Sequence, residues 1–71
     1  MMEINYSDPY LRKHAARYRH PLIGRDSMWR VASYLNLIPP GVEELTPEIE
    51  EQVVQILNQV VPDENDPWSQ R

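Results

Sequence analysis

The chain has 71 residues, no cysteine and a formal net charge of −4. A chain of this length forms one small domain, and without cysteine it has neither disulfides nor thiolate metal ligands to stabilise it. No apolar stretch approaches the roughly 20 residues of a membrane span. The net acidity also disfavours binding of the whole molecule to nucleic acid or to a membrane surface.

The charge is divided between the two halves of the chain. Residues 1–38 contain six basic and three acidic residues, whereas residues 39–71 contain eight acidic residues and one basic residue. Two interpretations remain open: one half folds onto the other, or both halves are offered to partners. The first residues lack the basic and apolar regions of a signal peptide, and we expect a cytoplasmic protein.

The first predicted helix spans residues 9–19. Asp8 or Ser7 can cap it, and Pro9 suits its first turn. On a helical wheel His14 lies among tyrosines and apolar residues, so we expect it to be a half-buried packing residue. The opposite side is basic. The residues that follow, 20–24, contain proline and glycine and end the helix, and we expect Leu22 and Ile23 to pack into the core from this loop.

The second predicted helix spans residues 27–37, with Asp26 or Ser27 as its cap and the Pro-Pro-Gly sequence at 39–41 as its end. Apolar residues cover most of its circumference, which predicts a central position. The same helix carries Trp29, Tyr34 and Leu37, more large apolar side chains than three short helices readily cover.

The third predicted helix spans residues 47–61. Thr46 is its expected cap and Pro47 its first residue. Its apolar residues recur with the helical period and extend to Val60 and Val61. Glu50 falls inside this apolar arc, and we expect it to meet Arg25 or Arg30, or a cation from a partner.

These patterns predict an all-α fold, a three-helix mini-domain over residues 1–61 followed by a flexible acidic tail over 62–71. Trp68 lies in that tail. An aromatic residue among acidic ones is typical of a docking peptide, but Trp68 could equally fold back over the small core.

We find no catalytic or cofactor motif in the sequence. The chain has two histidines at a spacing that does not place them on one helical face, and two glycines that form no phosphate loop. Neighbouring carboxylates in a helix point about 100° apart and make no acid–base pair. We therefore expect a protein that is not an enzyme and that binds no metal and no cofactor.

The favoured function is a small regulatory module that docks on a larger protein as an adaptor, inhibitor or assembly factor. The same excess of apolar and aromatic side chains could instead form a homodimer. The candidate partner-binding residues are Trp29, Tyr34, Leu37 and Trp68. The alternative is a nucleic-acid-associated regulator whose basic first helix contacts phosphates. Its candidate phosphate-binding residues are Arg12, Lys13, Arg17, Arg19 and Arg25.

Overall fold

The structure is a computed structural model, and it describes residues 3–67. It contains three α-helices, α1 (Pro9–Ala15), α2 (Gly24–Tyr34) and α3 (Pro47–Leu57), and each helix packs against the other two. The described residues form no strand. The predicted all-α, three-helix fold is therefore confirmed. Within residues 3–67, no helix has both the length and the apolar character needed to cross a membrane.

Two of the three predicted helix starts are confirmed. Asp8 caps α1, because its Oδ1 accepts a hydrogen bond of 2.8 Å from the backbone N–H of Tyr10. Thr46 caps α3, because its Oγ1 accepts from the backbone N–H of Ile49 at 3.3 Å. In both helices a proline takes the first position, where its missing N–H costs nothing.

The predicted start of α2 is wrong by three residues. The helix begins at Gly24 without a side-chain cap, and the Ser27 hydroxyl is bonded elsewhere. Gly24 packs so closely on the backbone of Tyr18 that a Cβ at this position would collide with the Tyr18 carbonyl oxygen. Glycine therefore lets α2 start directly beside the turn that ends α1.

All three helices end earlier than their apolar patterns predict. Helix α2 ends because Asn36 adopts the left-handed conformation, with φ at 59°. The N–H of Leu37 then donates to the carbonyl oxygen of Ala32 at 2.8 Å, and the N–H of Asn36 donates to the carbonyl oxygen of Ser33 at 3.2 Å. This pair of bonds is a Schellman motif, and it turns the Leu37 side chain back against the core.

Helix α1 ends at Ala15 and α3 at Leu57, and both continue as turns rather than as helix. The turn after α1 places Tyr18 in the core, where it is 8% exposed. The turn after α3 separates two valines: Val60 is 4% exposed, whereas Val61 is 65% exposed. Val61, which the predicted helix over 47–61 places in one apolar arc with Val60, is therefore exposed because the helix ends earlier.

The core lies where the three helices meet. Leu11, Val31, Val53 and Leu57 are its largest fully buried side chains. Ile23 is half-buried, but Leu22 is 86% exposed, so the expectation that Leu22 packs into the core is wrong.

The C-terminal segment, residues 61–67, lies against α1. The N–H of Asp63 donates to the carbonyl of Arg12 at 3.1 Å, and Arg12 Nε donates to the carbonyl of Val61 at 3.1 Å. Arg17 Nη2 lies 2.9 Å from Asp66 Oδ2, and Asp66 is 5% exposed. The predicted flexible tail is therefore not confirmed over its described part. Residues 68–71 lie outside the described residues.

Candidate binding site between helices α1 and α2

Two adjoining depressions lie along the seam between α1 and α2. The first, the basic cavity, encloses about 270 Å³, and the second, the aromatic groove, about 470 Å³. Tyr10, Asp26 and Arg30 line both depressions. The two depressions therefore form one continuous surface with a charged end and an aromatic end.

Both helices contribute cations to the basic cavity. Lys13 comes from α1, Arg17 from the turn that follows α1, and Arg30 from α2. Asp26 is the acidic residue of the lining and pairs with Arg30 one helical turn away, with Arg30 Nε 2.7 Å from Asp26 Oδ2. Arg17 in turn pairs with Asp66, so three cations face two carboxylates and the site keeps an excess of one positive charge in a chain that is acidic overall.

His14 and Ser27 complete the lining of the basic cavity and join the two helices. His14 Nδ1 lies 2.6 Å from Ser27 Oγ, and the two residues are 3% and 2% exposed. The second ring nitrogen, His14 Nε2, is buried and has no hydrogen-bond partner among the described residues. The expectation of a half-buried packing residue is thus wrong for His14, since it is fully buried and hydrogen-bonded.

The surroundings of His14 keep its ring neutral at pH 7. Burial, followed by the charges of Lys13, Arg17 and Arg30, lowers the pKa of His14 from 6.5 to about 4. Asp26 acts in the opposite direction but does not compensate. The positive potential of the cavity is therefore felt directly at the imidazole ring.

Three aromatic residues shape the aromatic groove. The rings of Tyr10 and Tyr34 stack with centroids 4.3 Å apart at an interplanar angle of 28°, and Trp29 lines the same groove. The Tyr34 hydroxyl donates to Asp8 Oδ2 at 2.6 Å, and this bond raises the pKa of Tyr34. Tyr34 nevertheless remains 50% exposed, so one half of a rigidly held aromatic side chain faces outward.

The structure separates the four predicted partner-binding residues. Trp29 and Tyr34 lie together in the aromatic groove. Leu37 packs against the hydrophobic core and contributes to folding instead. Trp68 lies outside the described residues, and its two interpretations stay open.

The predicted phosphate-binding residues are separated too. Lys13 and Arg17 line the basic cavity, whereas Arg12 donates to the Val61 carbonyl. Arg19 Nη2 donates to Asn58 Oδ1 at 2.9 Å, and its guanidinium also lies 5.2 Å from the centre of the Tyr18 ring.

Arg25, the fifth member of that set, lies 3.5 Å from Glu50 through its Nη1. This contact confirms the expectation that Glu50 meets Arg25 or Arg30. Much of the basic surface predicted for the first helix is thus engaged by acceptors of the same chain.

Sequence reasoning did not find the role of Ser27, Asp26 or Arg30 in this site. Ser27 and His14 are 13 residues apart, and no local pattern indicates that their side chains meet. Among the described residues, no group of three or more His, Asp or Glu side chains is arranged to hold a metal ion.

Comparison of the chain with protein-family models, with curated proteins and with solved structures finds no match.

Proposed function

We propose that this protein is a non-enzymatic interaction module that docks on a larger protein through the aromatic groove. The observation that carries the proposal is the half-exposed Tyr34 ring, stacked on Tyr10 beside Trp29. Aromatic side chains provide a large contact area at a low entropic cost, and tyrosine, tryptophan and arginine are enriched at binding hot spots. The groove presents all three types.

Preorganisation supports the same proposal. Tyr34 is held from two sides, by its hydrogen bond to Asp8 and by its stacking on Tyr10. A partner that covers such a ring does not have to immobilise it, so more of the contact energy appears as affinity.

The charge beside the groove defines the chemistry of the partner. Lys13, Arg17 and Arg30 lie at the neighbouring basic cavity. A complementary partner segment therefore carries an apolar anchor for the aromatic groove and an acidic side chain close to it, because opposite charges steer association and fix its register.

The arrangement of His14 and Ser27 supports a non-enzymatic role. A serine nucleophile needs an accessible hydroxyl and a base that a carboxylate orients. Here both residues are buried, and the nearby Asp26 carboxylate bonds to Arg30.

The test is quantitative affinity capture with the full-length chain from its own cell lysate, with and without nuclease treatment. Wild type is compared with Trp29→Ser, Tyr34→Ser and the control Leu22→Ser, which removes an exposed apolar side chain outside the groove. We expect one protein to be captured stoichiometrically by wild type and by the control, and to be lost with both groove variants. The complex must then form again from the two purified proteins.

Two outcomes would contradict the proposal. Capture that depends on Leu22 rather than on Trp29 and Tyr34 would place the docking surface elsewhere. Capture that disappears with nuclease would favour the nucleic-acid alternative.

A further inference from the structure

We propose that the basic cavity is a binding site for a phosphate-class oxyanion, with Lys13, Arg17 and Arg30 as the cationic ligands and His14 as a buried hydrogen-bond donor. This inference goes beyond the docking function, because the ligand is a small anion and no protein partner is required. It therefore stands or fails independently of the aromatic groove.

The distribution of charge is the first argument. Lys13 on α1, Arg17 in the turn after α1 and Arg30 on α2 line one cavity of about 270 Å³ and repel one another there. Asp66 pairs with Arg17 and Asp26 pairs with Arg30, so the charge of Lys13 is the one left without a carboxylate among the described residues. A divalent oxyanion at their centre would relieve the repulsion that remains, which is the usual electrostatic logic of phosphate sites.

The three cations also keep free hydrogen-bonding capacity. A guanidinium group has five N–H donors. Arg17 contacts one oxygen of Asp66 through Nε and Nη2, and Arg30 contacts Asp26 through Nε. The Lys13 ammonium lies 5.5 Å from the centre of the Tyr10 ring and has no carboxylate within ion-pair distance among residues 3–67.

The unpartnered nitrogen of His14 is the second, independent argument. Buried polar atoms in native proteins nearly always have a hydrogen-bond partner, and leaving one without a partner is destabilising. We assign the proton of the neutral ring to Nε2, because the Ser27 hydroxyl can then donate to Nδ1. His14 Nε2 is thus a buried N–H donor in a residue that lines a positive cavity.

An oxyanion would supply the acceptor that this donor lacks. The cavity volume is several times the roughly 30 Å³ that a water molecule occupies in the liquid, so a tetrahedral anion and accompanying water both have room. The neutral His14 ring would then donate a hydrogen bond to the same oxyanion that the three cations contact.

The test uses inorganic phosphate and NMR spectroscopy on the isotopically labelled full-length chain. Phosphate is added at constant pH 7 and compared with chloride at equal ionic strength. We expect the His14 ring resonances and the Ser27 amide resonance to shift in a saturable manner with phosphate alone. Equal shifts with chloride would show general screening and would overturn the proposal.

Substitutions identify the cavity as the site. Lys13→Met and Arg30→Met should each weaken phosphate binding at least about tenfold, which corresponds to about 1.4 kcal/mol, because each removes a charge-assisted hydrogen bond. Arg25→Met is the matched control, because it removes the same charge from a side chain that is 68% exposed and lies outside the cavity. An equal loss with Arg25→Met would overturn the proposal.

Acetate provides a test of ligand class. A monovalent carboxylate presents fewer acceptor oxygens and less charge than phosphate, so we expect it to bind at least about tenfold more weakly. Acetate that binds as tightly as phosphate would contradict a phosphate-class site. Since none of these measurements involves Trp29 or Tyr34, their failure would leave the docking function untouched.

Discussion

The basic residues of α1 and of the turn that follows it make different contacts on the two sides of this segment. Towards α3 and the C-terminal segment, Arg12, Arg17 and Arg19 donate to Val61, Asp66 and Asn58 of the same chain. Towards α2, Lys13 and Arg30 line a cavity together with a buried histidine. Arg17 and Arg30 line this cavity although each pairs with a carboxylate of the same chain, so Lys13 is the residue that distinguishes the cavity: no carboxylate of the described residues lies within ion-pair distance of it.

The same comparison explains the division of charge along the sequence. Arg17 pairs with Asp66, and Arg25 pairs with Glu50, so parts of the basic half fold onto the acidic half. The first pair is mostly buried and the second is largely exposed, so we expect their contributions to stability to differ.

Acidification should produce the largest loss of stability, and it acts through His14, which contacts α2. The folded-state pKa of His14 is about 4 and its ordinary value is 6.5, so the unfolded chain binds this proton more readily. The stabilisation is complete above pH 6.5 and is lost as the pH falls towards 4. The protonation of His14 lowers the free energy of unfolding by about 3 kcal/mol.

Urea unfolding between pH 7 and pH 4 measures this loss. Because carboxylates titrate in the same range, the ring resonances of His14 must be followed separately by NMR spectroscopy. A His14 midpoint near pH 6.5 would contradict the burial and the positive surroundings described for its ring.

Breaking the ion pair between Arg17 and Asp66 should cause the next largest loss of stability. Arg17→Met removes the guanidinium from Asp66, whose side chain is 4% exposed, and we expect a loss of about 2 kcal/mol in the free energy of unfolding. The partial exposure of Arg17 keeps this estimate below that for a fully buried pair. Urea denaturation provides the measurement.

Arg30→Met is the matched control for this prediction. It breaks a pair with Asp26 one helical turn away in which both side chains are exposed, so we expect a much smaller loss of stability than for Arg17→Met. Equal destabilisation by the two variants would show that the C-terminal segment is not held by Arg17.

The adjacent residues Val60 and Val61, which follow α3, test where this helix ends. Val60→Ala removes a side chain that is 4% exposed and should cost about 1.5 kcal/mol, or about 0.8 kcal/mol for each buried methylene equivalent. Val61→Ala alters a side chain that is 65% exposed and should change stability by less than about 0.5 kcal/mol.

Thermal or urea unfolding of both variants distinguishes the turn from a longer helix. If α3 continued through residue 61, its wheel would bury both valines, and the two substitutions would cost similar amounts. That result would contradict the end of α3 at Leu57.

The smallest predicted effect concerns the aromatic groove. Tyr34→Phe removes the hydroxyl that donates to Asp8 but retains the ring stacked on Tyr10. Because the site is half exposed and water can replace the bond, we expect a loss of stability close to the error of urea unfolding. A loss as large as that of Val60→Ala would show that Tyr34 serves the fold more than the surface.

The sequence predicts the local features of this fold well. Asp8-Pro9 and Thr46-Pro47 mark helix starts because capping involves residues two or three positions apart. The helix ends were predicted too late. The left-handed Asn36 stops α2 before the prolines are reached, and a helical wheel has no means of showing such a turn.

The candidate site depends on tertiary contacts that no local pattern reveals. Arg17 and Asp66 are 49 residues apart, and His14 and Ser27 are 13 apart. Ser27 was predicted to be a helix cap, which suits its type and position equally well. Its actual role follows from the contact between α1 and α2 at His14, and Gly24 lets α2 begin directly against the turn after α1.

The most direct test of the difference between the two sides of α1 compares its neighbours Arg12 and Lys13. Arg12 donates to Val61 in the C-terminal segment, whereas Lys13 lines the basic cavity. Arg12→Met and Lys13→Met change the net charge equally, and inorganic phosphate is titrated into each variant with His14 as the reporter. We predict about tenfold weaker binding for Lys13→Met and wild-type binding for Arg12→Met. Equal weakening by both variants would contradict a phosphate site in the basic cavity, because binding would then follow the overall charge of α1.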